Sequence, residues 1–392
     1  MEIRESFLSL AIPDISEQEI FAVMECLKSG WISIGPRVKE FEKKFSEYHH
    51  VKHAIATSSC TTALFLAAKA IGIEPGDHVI VPTITWQSTA NIVEQLGAVP
   101  VFADVETDTL NIKPEEVEKY LKNFGKKIKA VIPVHHSGLP VDIDRVQTIA
   151  QKHGVSIIYD AAHAVFSSYK GEMIGSFGTF SAFSFYATKN ITTGDGGMIT
   201  TNDDELAEAC RVWSYHGLPK DSWKRYSEEG ASPHVQCIVP GYKFNMTDLQ
   251  AALGLAQLSR KAYLLSKRNE LIQHYNRLFA KMAYIQTPVF ATKDGKWGNH
   301  VYVIKLLDDA VDRDRFMQEL RKLNIGTNLH FYPVHKNIYY MRKYPGIQLP
   351  NAEWLMSRIL TLPLCTKYSK TDIEYVVDAV KYVYESKFAH RA

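Results

Sequence analysis

The stretch HAIATSSCTTALFLAAKAIGIEPGDHVIVP, residues 53–82, holds two short β-branched runs, HAIAT (53–57) and HVIVP (78–82), on either side of a helical segment near 61–71. Short apolar runs bounded by turn residues read as strands, and a helix between two of them makes a β–α–β unit. The alternation continues outward. VPVFA (99–103), KAVIPV (129–134) and VSIIYD (155–160) read as strands, separated by helical segments near 87–96, 114–122 and 143–152. Repeated β–α–β units predict an α/β fold with a mainly parallel sheet and helices on both faces. Upstream, SEQEIFAVMECLKSG carries a capping box at Ser16 and Glu19, apolar residues at helical spacing and a stop at Gly30.

Past about residue 245 the texture changes. A long helical pattern, MTDLQAALGLAQLSRKAYLLSKRNELIQHYNRLFAKM, is followed by HVYVIKL as a strand and closing helices near 351–359 and 370–386. This predicts a smaller α+β domain hung on a long connecting helix. The division expected is a large α/β domain over 1–250 and a small domain over 251–392, with the N-terminal arm packing on the small one. No repeat, low-complexity tract or flexible linker separates them, so close packing is expected.

Composition narrows the function classes. The chain has 392 residues, 46% hydrophobic and 22% charged, which is ordinary for a globular protein. Its 45 basic and 43 acidic residues are interspersed, with no basic block, so nucleic-acid and membrane partners are not expected. The five cysteines (Cys26, Cys60, Cys210, Cys237, Cys365) are scattered and never in C-x-x-C spacing, against a disulfide framework or a zinc site. The N-terminus is acidic where a signal peptide is basic, and no apolar run approaches membrane-spanning length. A cytoplasmic protein with a small-molecule ligand is expected, and no metal.

Within SAFSFYATKNITTGDGGMITT (181–201), Lys189 stands between an apolar run and a loop rich in threonine and glycine. A lysine is ordinarily a solvated surface charge. In a shielded pocket its pKa falls, and the neutral amine attacks carbonyls to form a Schiff base. Open parallel sheets bind ligands beyond the carboxyl ends of their strands, and other candidates fall there. Asp160 closes VSIIYD, as a carboxylate facing the crevice or as a helix cap or loop salt bridge. His163, three residues on, stands beside it on a helical turn or is a hydrogen-bonded structural histidine. In TSSCTTAL (57–64) the N–H groups near Cys60, Thr61 and Thr62 open a helix and can receive a phosphate, although such a start is more often only an N-cap. Trp86 covers a heterocycle or fills the core. The GDGG turn (194–197) is weak by itself.

An amine, a carboxylate, an anion cradle and an aromatic plate at successive strand ends match pyridoxal phosphate: an aldehyde, a pyridinium N–H, a phosphate and a flat ring. A dinucleotide would instead want G-x-G-x-x-G after the first strand, which is absent.

These motifs, with SGWISIGPRVKEFEKKF (29–45), PVFADVETDTLNI, IPVHHSGLP, DAAHA, FSFYATKNITTGDGGM, HGLPKDSWKRYS and PGYKFNMTDLQAALGLAQL, closely resemble the DegT/StrS family of pyridoxal-phosphate-dependent nucleotide-sugar aminotransferases over nearly the whole chain. The resemblance implies the fold-type I architecture, with a mainly parallel seven-stranded sheet, a small domain and a homodimer with shared active sites. It matches Lys189 to the lysine that bonds the cofactor and Asp160 to the partner of the pyridine nitrogen. His163 matches the position near the cofactor's 3-hydroxyl, Trp86 the stacking aromatic, and Ser184 with Cys60, Thr61 and Thr62 the phosphate site. His330, in GTNLHFYPVHKN, matches a substrate-side position; alone it reads equally as a structural histidine. Many members have Ser-Gly-Thr where this chain has Ser59-Cys60-Thr61. Many read G-x-N-x-R where this chain has GYKFN, which leaves Lys243 and Asn245 as rivals for the partner's phosphate, with Asn245 favoured.

The implied reaction moves the amino group of L-glutamate to a nucleotide-linked keto-sugar by ping-pong kinetics, through pyridoxamine phosphate. A 4-keto-6-deoxyhexose aminated at C4, for amino-sugar and surface polysaccharide synthesis, is the expected acceptor; C3 amination is the alternative. Dehydratase relatives carry histidine in place of the lysine. A regulatory protein binding cofactor or sugar without turnover is the reading from another class.

Overall fold

The computed structural model describes residues 1–218 and 236–389. Most of HGLPKDSWKRYS therefore lies outside the described residues. In chain order the first strands are β1 (His53–Thr57), β2 (His78–Pro82), β3 (Val99–Ala103), β4 (Ile128–Val131) and β5 (Ser156–Asp160). The short β6 (Ser168–Tyr169) and β7 (Glu172–Met173), then β8 (Phe180–Ser184) and β9 (Gly197–Thr201), follow. Seven of these make one sheet in the order β1-β9-β8-β5-β4-β2-β3. Every direct pairing is parallel except those of β9, which is antiparallel to both β8 and β1. The two runs 53–57 and 78–82 are thus not neighbours: β9, β8, β5 and β4 lie between them.

Period-two alternation sorts the strand residues into two cores. Ile55, Val79, Val81 and Ile158 enter one with helices α3 (Cys60–Ala70), α4 (Ser88–Gln95) and α7 (Asp204–Ser214). Ala54, Ala56, Ile80, Ile157 and Tyr159 enter the other with α2 (Pro36–His49), α5 (Pro114–Phe124), α6 (Ile143–His153) and α8 (Asp248–Ser259). A sheet covered on both faces buries nearly all of its strand side chains, which is why these strands read as apolar runs.

The carboxyl-terminal part holds α9 (Lys261–Phe279), α10 (Arg313–Lys322), α11 (Ile338–Lys343), α12 (Pro350–Met356) and α13 (Lys370–Lys387). Its three-stranded antiparallel sheet has the order β10 (Ile285–Gln286), β12 (Tyr302–Leu306), β13 (Ile359–Leu362), and β11 (Gly295–Lys296) crosses to pair with β6. Tyr275, Phe279, Tyr302, Phe316 and Val380 form its core. The N-terminal arm lies on this part: Leu8 bridges Ile325, Leu10 accepts from Leu364 N–H, and Arg4 pairs with Asp372.

Two expectations are corrected. The helix expected near 351–359 ends at Met356, and Ile359 already belongs to β13, because the apolar run ILTL completes the small sheet. The long connecting helix is two helices, broken at Arg260 (φ −92°, ψ 7°). The Arg260 guanidinium is held there by Asp14 and Glu19. Glu19 in α1 (Glu17–Lys28) is 1% exposed and accepts from Ser16 N–H, Ser16 Oγ, Gln257 Nε2 and Arg260 Nη1. Burial works to raise its pKa, but hydrogen bonds from Ser16 and Arg260 outweigh that and hold it below the usual glutamate value. Glu19→Ala leaves Arg260 with one acidic partner fewer and is expected to cost about 2–4 kcal/mol at neutral pH in chemical denaturation. Because the folded pKa is depressed, that contribution is present above the ordinary value of 4.5 and fades as pH falls through the lower folded value.

Candidate active site

Asp160, Ser184 and Thr57 end strands at one edge of the large sheet, where the antiparallel β9 begins at Gly197. Asp160 is 4% exposed. Its Oδ2 accepts from Thr89 Oγ1 (2.8 Å) and its Oδ1 from Ala162 N–H (3.1 Å). Thr89 spends its one hydroxyl proton on Asp160, so Thr85 donates to Thr89 (2.9 Å). Burial pushes the Asp160 pKa up, opposed by these two hydrogen bonds and by the charge of Lys189.

Lys189 stands in the loop after β8, its N–H bonded to Tyr186 O. Its side chain stays partly open to the crevice, yet surrounding protein lowers its pKa to about 8, with Cys60 and Asp160 pulling the other way. The amine makes no hydrogen bond or ion pair with any described residue. Cys60 opens α3, and burial pushes its thiol pKa well up, so the thiol is neutral.

The α3 N-terminus is capped by Ser59, whose Oγ accepts from Thr62 N–H, while Thr62 Oγ1 accepts from Ser59 N–H. The Thr62 hydroxyl is therefore committed to the cap. The N–H groups of Cys60 and Thr61 have no acceptor among the described residues and stand at the positive end of the helix dipole. Gly197 pairs with both Thr57 and Ser184, and a Cβ on it would lie 2.4 Å from the Ser59 carbonyl and 2.7 Å from Cys60 N. Only glycine lets β9 pass this close to the cradle.

His163 does not bond Asp160. Its Nδ1 accepts from Ser137 N–H (3.2 Å), so the ring proton sits on Nε2 and can be donated. Burial, then Lys189 and neighbouring imidazoles, holds its pKa well below 6.5. His136, His300 and His330 surround it at ring distances of 6.3, 4.5 and 5.8 Å, and Phe331 stacks on it at 5.6 Å. His330 is fixed by Thr361 Oγ1 on Nδ1 (2.9 Å), and its carbonyl takes His136 Nε2–H. Trp86 is no core filler: it is 59% exposed, 6.0 Å from Phe331.

Lys189, Asp160, Cys60, His163 and His330 thus share one crevice, and Ser184 joins the cradle through Gly197. Asn245 bridges Thr57 at the neighbouring edge, and its amide donates to Met246 O. Lys243 lies over the Tyr215 ring at 4.0 Å. Sequence reasoning missed Thr89, His136, His300 and Phe331. The signal for Thr89 was only its place one helical turn beyond Thr85.

A family model for the DegT/DnrJ/EryC1/StrS aminotransferase family matches residues 13–381. The chain belongs to that family. It is 46% identical to the spore coat polysaccharide biosynthesis protein SpsC of Bacillus subtilis, across 96% of this chain and 97% of that one. Among solved structures, a Streptococcus pneumoniae protein in its PLP form matches with a TM-score of 0.89 and 31% identity, over 97% of this chain and 99% of that one. Helicobacter pylori PseC, an aminotransferase involved in pseudoaminic acid biosynthesis, matches with a TM-score of 0.90 and 28% identity, over 97% of this chain and all of its own. The fold-type I architecture expected from the motifs is the one found. No metal-holding group of three or more His, Cys, Asp or Glu occurs among the described residues.

Gly197→Ala is expected to displace the start of α3 and weaken pyridoxal phosphate binding at least about tenfold in equilibrium titration, from lost N–H geometry at Cys60 and Thr61.

Proposed function

We propose that this chain is a pyridoxal-phosphate-dependent aminotransferase that aminates C4 of a nucleotide-linked 4-keto-6-deoxyhexose, with L-glutamate as donor. The observation that carries the reading is Lys189: an amine with a pKa of about 8 and no bonded partner, facing a buried carboxylate. The residues present fit the cofactor. The open N–H groups of Cys60 and Thr61, with Ser184, would hold the phosphate; Lys189 Nζ would bond the aldehyde and Asp160 would accept from the ring nitrogen. His163 Nε2–H is the donor available to a ring oxygen, and Trp86 offers an exposed aromatic face.

Bound there, pyridoxal phosphate supplies an electron-withdrawing ring that stabilises a carbanion at the carbon bearing the amino group. Asp160 keeps the ring nitrogen protonated. Lys189 Nζ takes the α-proton of the donor and returns a proton in the acceptor half-reaction. L-glutamate leaves as 2-oxoglutarate, and the keto-sugar leaves as an amino-sugar. The names of SpsC and PseC attach sugar biosynthesis to proteins similar over nearly their full length. The choice of C4 rests on the likeness of GYKFNMTD and HGLPKDSWKRYS to members acting on 4-keto sugars. A homodimer completes the site in this reading, with Asn245 reaching the partner's phosphate. The setting is cytoplasmic, where the diphosphate retains the substrate; no helix among the described residues is long and apolar enough to cross a membrane.

Incubation with L-glutamate and a panel of 3-keto and 4-keto nucleotide sugars, read by product NMR, tests this directly. A C4 amine from a nucleotide-linked sugar is expected, and Lys189→Ala is expected to give none. Amination only at C3 corrects the position; cofactor or sugar binding without any amino product favours the regulatory reading.

Asp160→Asn keeps the shape and removes the charge. Its turnover is expected to fall ~10³-fold or more, several kcal/mol by transition-state arithmetic, while the cofactor is retained in absorbance spectra. Near-normal turnover would make Asp160 a structural residue.

A further inference from the structure

Thr89, in the first turn of α4, and Thr85, four residues before it, are both buried. A buried threonine on a helix ordinarily satisfies its hydroxyl on a backbone carbonyl three or four residues back. Thr89 instead reaches a side chain 71 positions away: its Oγ1 lies 2.8 Å from Asp160 Oδ2. Thr85 Oγ1 stands 2.9 Å from the same Thr89 hydroxyl. The Thr89 backbone N–H is held separately, by Trp86 O at 3.2 Å. One short segment therefore places both the exposed Trp86 ring and the hydroxyl that meets Asp160.

The carboxylate sets the polarity of this chain. Ala162 N–H donates to Oδ1 at 3.1 Å, so that oxygen is an acceptor. An ionised Asp160 can only accept, so the Thr89 proton points at Oδ2 and the Thr89 oxygen is left to accept from Thr85. A neutral Asp160 could reverse both bonds. Burial works towards the neutral form, and the bonds from Ala162 and Thr89, with the Lys189 charge, work against it. Lys189 bonds no described residue, so Ala162 N–H and the Thr89 hydroxyl are the direct partners of the carboxylate among them. Of the two, only the hydroxyl belongs to a side chain. An ionised carboxylate has about four lone-pair positions, so two remain for a ligand.

We propose that Thr89 is a positioning residue for Asp160: its hydroxyl, itself bonded by Thr85, donates to Oδ2 and aims the carboxylate, so that Asp160 meets the cofactor's ring nitrogen as an acceptor. A hydrogen bond to a charged group is stronger than one between neutral groups, and hydroxyls bonded in series polarise one another. The inference rests on the aminotransferase reading and gives a role to a residue that reading does not use.

Two substitutions separate the hydrogen bond from packing. Thr89→Val keeps the shape and removes the hydroxyl; Thr89→Ser keeps the hydroxyl and removes a methyl group. In cofactor-free protein the Asp160 carboxyl is followed against pH by infrared difference spectra taken relative to Asp160→Asn. Thr89→Val is expected to move its protonation to higher pH by about one unit, because a donor to the charged form is lost, and Thr89→Ser to stay near the native midpoint. Thr85→Val should shift it the same way by less, and carries the test if Thr89→Val does not fold. A second measurement compares equilibrium binding of pyridoxal phosphate with that of the analogue carrying C–H in place of the ring nitrogen. The native preference for pyridoxal phosphate is expected to shrink about tenfold in Thr89→Val and less than about twofold in Thr89→Ser. In the loaded enzyme Thr89→Val should lower kcat about tenfold with KM for glutamate nearly unchanged, and add less than about twofold to Asp160→Asn, since both act through one contact. An unchanged Asp160 midpoint in the valine variants, a larger loss in Thr89→Ser than in Thr89→Val, or a full tenfold loss on top of Asp160→Asn would each overturn the proposal. Failure of the aminotransferase reading shows separately, as native protein that gains no visible absorbance with added pyridoxal phosphate, while the Asp160 titration is still measured.

Discussion

A buried carboxylate and a lysine amine share one crevice without forming an ion pair, and the arrangement of the rest of the site follows from keeping them apart. Had Asp160 and Lys189 closed on each other, the amine would be held as ammonium and the carboxylate neutralised as a partner for anything else. Instead Thr89 and the Ala162 N–H take the Asp160 oxygens from the large-domain side. The loop after β8 carries Lys189 past the strand end, with its backbone anchored to Tyr186 and the neighbouring Asn190 side chain anchored to Gly298. Each group therefore keeps valence for a third molecule.

The wall opposite is built from neutral rings. His136, His163, His300 and His330 are all held well below their ordinary pKa, chiefly by burial, with His136 at about 4 and His330 at about 3. Their protons are distributed by backbone and side-chain partners rather than by solvent: Ser137 N–H sets His163, the His330 carbonyl sets His136, and Asn190 sets His300. Near neutral pH the crevice thus holds hydrogen-bond donors and acceptors of defined polarity without several positive charges repelling the amine. Desolvation by the surrounding protein makes this possible, because the same rings in water would titrate near 6.5.

Two buried cations that would be costly to strand flank this wall, one within the carboxyl-terminal part and one reaching back to the large sheet. Within the carboxyl-terminal part, Arg268 is buried, its pKa lowered to about 10 by burial, and it donates to the carbonyls of His300 and Leu364. Lys305, 1% exposed on β12, reaches back to the carbonyls of Thr107 and Asp108 in the loop region after β3. Separating the parts would leave Lys305 without its carbonyl partners.

Local sequence alone determined the layered α/β character, since strands buried on both faces must be continuous apolar runs and the intervening helices must show a 3.6-residue period. It also placed Asp160 at a strand end and Lys189 in the loop beyond an apolar run, and the family motifs attached a chemistry to them. Strand order was beyond it: β1 and β2 are joined by one helix yet have four strands between them, because pairing depends on contacts between segments distant in the sequence. The break at Arg260 was likewise unreadable, and the partners its guanidinium meets there, Asp14 and Glu19, lie more than 240 residues away in the chain. Thr89, His300 and Phe331 could not be picked out for the same reason. Hydrogen-bond polarity and desolvation are properties of what surrounds a side chain, and those surroundings exist only after the chain has folded.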